Sequence, residues 1–221
     1  DPAHPKATEA LELLYSARQD WSALVSLLEK KADNQRGADR AETLAGIAEV
    51  YEDRIADSDK AIGAYQKALQ IDPKHLGSLK GLERILSQQG RFAELLDNLR
   101  AQLDVVATPR QKISRLERIG GIQEEEFVDA AKASETYEQI VAIEPGQDAA
   151  NAALARLYRQ LNRFDDLAAT LERHAKGAAD DTRKIGLLLQ ASKVLAVDVG
   201  APERAIAVAE RVLAIDPKHS D

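Results

Sequence analysis

Cysteine and methionine are both absent from these 221 residues. Without cysteine, no disulfide, thiolate metal site or cysteine nucleophile can form. That absence leaves the localisation open between a cytoplasmic and a periplasmic, soluble setting. Without methionine, the chain is expected to be a fragment, a processed chain or a portion of something longer. Aromatics are few, with one Trp, five Tyr and three Phe. Positive charge is in the minority, 30 Lys and Arg against 37 Asp and Glu, for a net charge of −7. An acidic chain with few aromatics is a poor candidate for nucleic acid or an anionic membrane surface, both of which want clustered Lys and Arg. No apolar run approaches the length of about 18 residues that a membrane-spanning helix needs. Seven prolines and twelve glycines sit mostly between apolar runs, which is the punctuation of a helical protein.

What is present is a repeat. An acidic-Pro dipeptide recurs at Asp1-Pro2, Asp72-Pro73, Glu144-Pro145 and Asp216-Pro217, in steps of 71 and 72 residues. Trp21, Phe92 and Phe164 keep the same step, as do Leu28, Leu99 and Leu171, and Leu44, Leu116 and Leu188. Several independent landmarks at one period define an internal repeat. The chain 1–221 is therefore read as one repeat array, with super-repeats at 1–71, 72–143 and 144–215.

Each super-repeat holds four helical stretches. In the second, Leu76, Leu79, Leu82, Ile85 and Leu86 make one helical face, and Gly90 stops it. Leu95, Leu96, Leu99 and Leu103 make the next. Thr108-Pro109 reads as a cap with proline in the first turn. Ile113, Leu116, Ile119 and Ile122 form the third face, and Ala133, Tyr137, Ile140 and Val141 the fourth. Glu144-Pro145 ends it, because proline disfavours helix in the residue before it. The fold class expected is all-α, about twelve antiparallel helices with short connections and no sheet.

The third and fourth helices of each unit carry the clearest pattern. Leu44, Ile47, Ala48, Tyr51, Ala61, Tyr65, Ala68 and Pro73 resemble the signature of the tetratricopeptide repeat. Leu116, Ile119, Gly120, Gln123, Ala133, Tyr137, Ile140 and Pro145 repeat it, and Leu188, Ala191, Ser192, Leu195, Ala205, Ala209, Val212 and Pro217 repeat it more weakly. The other helix pair is more divergent, keeping Leu154, Ala155 and Tyr158 and the aromatic after the turn. The resemblance implies six helical hairpins of two alternating kinds, wound as a right-handed α-α superhelix. One kind is longer, with an extra residue expected in the turn around Ala56–Asp59. Small residues at 48, 61, 120 and 133 are expected to let helices approach, and the aromatics at 51, 65 and 137 to fill the space between pairs. Three whole units with no polar cap suggest a segment of a longer, bacterial-type array, with apolar ends that stack on something.

No catalytic residues, cofactor or metal site are expected. The four histidines, His4, His75, His174 and His219, are not spaced as ligands. His174 reads as a buried structural residue. The run Glu124-Glu125-Glu126 reads as a solvated face, and Asp180-Asp181 as acids at a helix start.

The resemblance also implies that the first helix of each hairpin lines an inner, concave face. The candidate protein-binding residues there are Glu49, Glu52, Asp53, Lys80, Arg84, Glu117, Glu124, Arg156, Arg159 and Lys193. Acidic and basic rungs alternate. The rungs are expected either to pair with one another, Glu49 or Glu52 with Arg84 and Glu124 with Arg156 or Arg159, or to receive a peptide of mixed charge. A Lys/Asn clamp for chaperone tails is not expected, since Asn151 falls at a packing position. An RNA-reading helical repeat is not expected either, given the acidic charge. The function expected is a protein-interaction scaffold with a protein or peptide partner. The alternatives are self-association through the uncapped ends and a regulatory module of a larger protein.

Overall fold

The structure is a computed structural model, and residues 5–217 are described. The landmarks Asp1-Pro2, His4 and His219 lie outside the described residues. Twelve α-helices and no strand occur among the described residues. Their contacts divide the chain into two compact units, Asp1–Val106 and Ala107–Asp221. The division falls inside the middle super-repeat, ahead of Pro109, so each unit holds three hairpins.

The first unit comprises α1 (Pro5–Arg18), α2 (Trp21–Asp33), α3 (Gly37–Val50), α4 (Ser58–Ile71), α5 (Leu76–Gln88) and α6 (Phe92–Leu103). The second comprises α7 (Pro109–Glu125), α8 (Ala130–Ile143), α9 (Asp148–Gln160), α10 (Phe164–Gly177), α11 (Asp181–Val194) and α12 (Pro202–Ile215). Consecutive helices of a unit pack together, and α3 also meets α5, the first helix of the next hairpin.

Capping starts these helices. Asp20, Asp57, His75, Asp129, Gln147 and Asp180 each accept a hydrogen bond from the backbone N–H three residues on. Thr108 and Gln111 form a reciprocal capping box at α7. The core of each unit is one apolar stripe per helix. Ile47, Ala48, Ala61, Tyr65, Leu79, Ile85, Leu95 and Leu99 are buried in the first unit, and Leu116, Ile119, Ala133, Ile140, Leu154, Leu167, Leu171 and Leu188 in the second. Burying each large side chain contributes roughly 1.5–3 kcal/mol. No hairpin closes its own stripe, so its neighbour supplies the other wall.

The two hairpin kinds differ by one residue, and the backbone shows where. In the shorter kind the closing N–H reaches five residues back, Asp20 to Tyr15, Arg91 to Leu86 and Arg163 to Tyr158. In the longer kind it reaches six, Asp57 to Tyr51, Asp129 to Gln123 and Ala201 to Leu195. The extra residue does not sit in Ala56–Asp59 as expected. It widens the end of the preceding helix into a π turn at Tyr51–Ile55 and at Leu195–Val199. Each turn then needs one left-handed residue. Gln19, Gly90 and Asn162 supply it in the shorter hairpins, and Ala56, Val128 and Gly200 in the longer.

Candidate functional site

The π turn carries the first element of the candidate site. Glu52 lies within it, just after α3, and faces the next hairpin. Arg84 on α5 grips that carboxylate with two hydrogen bonds, Nε to Oε1 at 2.5 Å and Nη2 to Oε2 at 2.6 Å. The hydroxyl of Tyr65 on α4 donates to the same carboxylate at 3.1 Å. The group recurs 72 residues on in the second unit. There Arg156 on α9 donates to Glu124 at 2.5 Å, and Tyr137 hydrogen-bonds to Glu124. In the third super-repeat Ala196 and Ala209 stand where the acid and the tyrosine would be, and the group is lost.

Shelter is uneven within each group. The Glu52 and Glu124 side chains are 11% and 14% exposed, while Arg84 and Arg156 are 50% and 60% exposed. The carboxylates therefore face inward and are spent on Arg and Tyr. Glu124 corrects the expectation of a solvated acidic run; only Glu125 and Glu126 are exposed. The hydrogen bonds it donates to Glu52 hold the Arg84 guanidinium in its charged form, above its usual range. Burial, then the adjacent carboxylates, raise the phenols of Tyr65 and Tyr137.

The tyrosine rings need room, and glycine supplies it on opposite sides in the two units. A Cβ on Gly81 of α5 would meet the Tyr65 ring at 2.2 Å. At the corresponding place in the second unit stands Ala153, and there it is a Cβ on Gly120 of α7 that would meet the Tyr137 ring, at 2.9 Å. The place matching Gly120 in the first unit is Ala48.

The remaining candidates divide clearly. In the first unit Glu49, Asp53 and Lys80 are exposed and make no hydrogen bond or ion pair. In the second, Arg159 and Lys193 are likewise exposed and unpaired. Glu117 accepts a hydrogen bond from Gln147 at 2.8 Å. Of the pairings expected, Glu52 with Arg84 and Glu124 with Arg156 are present; Glu49 and Arg159 take no part.

Several polar contacts escaped the sequence reading. The N-cap side chain of α5, His75, accepts from the Ser78 N–H through Nδ1, and its Nε2 faces Glu42 at 2.9 Å. Tyr158 donates to Glu138 at 2.8 Å, and Arg173 joins the same carboxylate. The 72-residue recurrence of Glu52/Glu124, Tyr65/Tyr137 and Arg84/Arg156 was the one signal that could have found the tyrosines. His174 is buried, 2.8 Å from Asp148, in the structural role expected. Asn151 is fully buried and donates to the carbonyls of Pro145 and Gln147, a packing and capping role. Among the described residues no three His, Cys, Asp or Glu side chains cluster as metal ligands.

Known proteins resemble parts of this sequence. Profiles of the tetratricopeptide repeat match residues 41–75 and 150–185. These two segments are tetratricopeptide repeats. The first matched segment spans α3 and α4, the π turn and Glu52, and ends at His75; the second spans α9 and α10 with Arg156. Among curated proteins, the Photosystem I assembly protein Ycf3 of Prochlorococcus marinus subsp. pastoris is 43% identical over 56 residues, 25% of this chain and 32% of that protein. Ycf3 of a second Prochlorococcus marinus strain is 37% identical over 73 residues, 33% of this chain and 42% of that protein. The match thus spans less than half the length of these relatives. Among solved structures, one from the characterisation of Pseudomonas aeruginosa PilF covers 97% of this chain and 92% of its own, at 19% identity and a TM-score of 0.41. A tetratricopeptide repeat protein from Parabacteroides merdae covers 95% and 78%, at 14% identity and a TM-score of 0.48. A tetratricopeptide repeat array of this kind is a scaffold for protein–protein interaction.

Proposed function

We propose that each unit holds a protein or peptide segment against the face made by the first helices of its own hairpins. The observation that carries the reading is the split among the charges on that face. Glu52, Arg84, Glu124 and Arg156 are committed to one another. Glu49, Asp53, Lys80, Arg159 and Lys193 are exposed and uncommitted. Charges of both signs without internal partners are what a segment of mixed charge would meet, and they set orientation and on-rate more than affinity. The paired set serves to fix the register of neighbouring hairpins. This is the action of a binding protein rather than an enzyme, in keeping with curated relatives described as assembly proteins.

The test is affinity capture from lysate with the wild-type chain beside Lys80→Glu and Lys193→Glu variants. A partner that binds the wild type and is lost from the variants supports the reading. A partner retained by both variants rejects this face.

A second reading rests on separate residues. Leu13 and Leu14 on α1 are 73% and 55% exposed, and Ile206 and Leu213 on α12 are 59% and 50% exposed. Apolar surface of this kind favours stacking onto another helix. A molecular mass that rises with concentration in analytical ultracentrifugation, and falls on Leu13→Glu, would favour it.

A further inference from the structure

A cleft of about 940 Å³ opens in the first unit between α2, α3 and α4. No residue of α1 or α5 lines it, so it is separate from the face that carries Lys80. Its floor is apolar or small, with Leu44, Ile47, Gly63 and Ala64. Its rim is basic in a chain that is acidic overall, with Arg36, Arg40, Lys60 and Lys67 against Glu29 and Asp33.

Three features separate it from the same place in the second unit. First, α10 and α12 are tied across their gap by Arg211 to Glu172 and Arg204 to Asp165, at 2.5 and 2.6 Å. Glu29 and Lys67 hold the places of Glu172 and Arg211 but make no ion pair, and the cleft stays open. Second, Gly63 stands where the later repeats have Glu135 and Ala207. A Cβ on Gly63 would meet nothing within 4 Å. Glycine inside a helix costs about 1 kcal/mol relative to alanine, and no neighbour in this chain requires it. Third, Arg36 stands where Thr108 and Asp180 cap α7 and α11, and α3 begins without a side-chain cap. Its first N–H groups and the positive end of its dipole are left for an acceptor from outside.

The cations at that end are under-used. Arg36 and Lys67 make no ion pair. Arg40 touches Asp33 only at 3.6 Å, and its Nε is buried without a hydrogen-bond partner. The rest of the Arg40 side chain is accessible, 41% exposed, and a guanidinium hydrogen bond to a carboxylate is roughly twice as strong as a neutral one.

From this charge complementarity we propose that the α2–α3–α4 cleft is a second docking site, for an acidic peptide segment of a partner protein. A carboxylate of the segment sits on Arg40, Arg36 and the start of α3. An apolar side chain of the segment lies over Gly63, Ala64 and Leu44. The proposal does not depend on the reading given for the other face.

The test is an array of random-sequence peptides probed with labelled full chain. Arg36→Asp and Gly63→Glu are compared with the wild type. Both place at this site the residue found at its counterpart, Asp180 and Glu135, so the helices tolerate them. Lys80→Glu serves as the control on the other face. The expected result is a set of acid-rich peptides whose binding falls about tenfold or more in both cleft variants and is unchanged in Lys80→Glu. Acid-rich peptides indifferent to the cleft variants, or no acid-rich binders at all, would each overturn the proposal.

Discussion

Arg84 reaches from one hairpin to the π turn of the hairpin before it and closes both nitrogens of its fork on Glu52, at 2.5 and 2.6 Å. The pair joins two hairpins that the backbone alone would leave free to slide. Arg84 is half exposed, so water screens part of the attraction. Arg84→Ala nevertheless leaves a sheltered carboxylate with only Tyr65 beside it. We expect a loss on the order of 1 kcal/mol in urea unfolding. Glu52→Gln should remove most of the effect of Arg84→Ala in a double-mutant cycle, whereas Lys80→Ala stays within about 0.5 kcal/mol of wild type. A Lys80→Ala cost equal to that of Arg84→Ala would refute the division between committed and free charges.

The glycines of the helices respond in opposite directions. Gly81→Ala drives a methyl group into the Tyr65 ring, which is 1% exposed and tethered to Glu52, so the ring cannot yield without losing its hydrogen bond. The expected cost is about 1–3 kcal/mol. Gly120→Ala, with a 2.9 Å contact, costs less. Gly63→Ala meets open space and gains up to about 1 kcal/mol from helix propensity. Thermal melts of the three variants check the order.

Val128 holds a left-handed turn, φ 50°, with a β-branched side chain that is 76% exposed. Its counterpart Gly200 meets the same demand at φ 71° without a Cβ. Val128→Gly should raise stability by about 1 kcal/mol, and Gly200→Val should lower it by a similar amount. Equal melting temperatures for wild type and Val128→Gly would show that the turn is not strained.

Three tyrosines will ionise late. Burial raises the phenols of Tyr65, Tyr137 and Tyr158, and the neighbouring carboxylates Glu52, Glu124 and Glu138 raise them further. A folded-state value above the unfolded one means the stabilisation is complete below the unfolded phenol range of about 10 and is lost as pH rises through the folded value. Ultraviolet titration should show three phenols ionising together with alkaline unfolding. Ionisation of all five tyrosines ahead of the loss of helical circular dichroism would contradict this.

Much of the architecture was legible because it is periodic. The recurrence of Leu44, Leu116 and Leu188, and of the acidic-Pro dipeptides, sets the unit. The spacing of Leu76, Leu79, Leu82 and Leu86 sets a helix, and Thr108-Pro109 announces the start of α7. The candidate face was legible in part. The identity of its charged residues follows from helical spacing, but spacing does not say which acid an arginine selects. Glu49 and Glu52 were equal candidates for Arg84 until the packing of α5 against α3 brought Arg84 onto Glu52.

Repeat length, helix type and the residues facing each stripe were therefore determined by local order in the sequence, because burial periodicity and capping act within a few residues. Pair choice and open space were decided by tertiary structure. Glu124 is sheltered although it lies in a run of three acids, because a helix from the next hairpin brings Arg156 against it. The α2–α3–α4 cleft is open although its counterpart is tied by Arg211 and Glu172, because Lys67 and Glu29 do not close the gap between their helices. Both outcomes depend on distances between segments more than 30 residues apart, which no local pattern encodes.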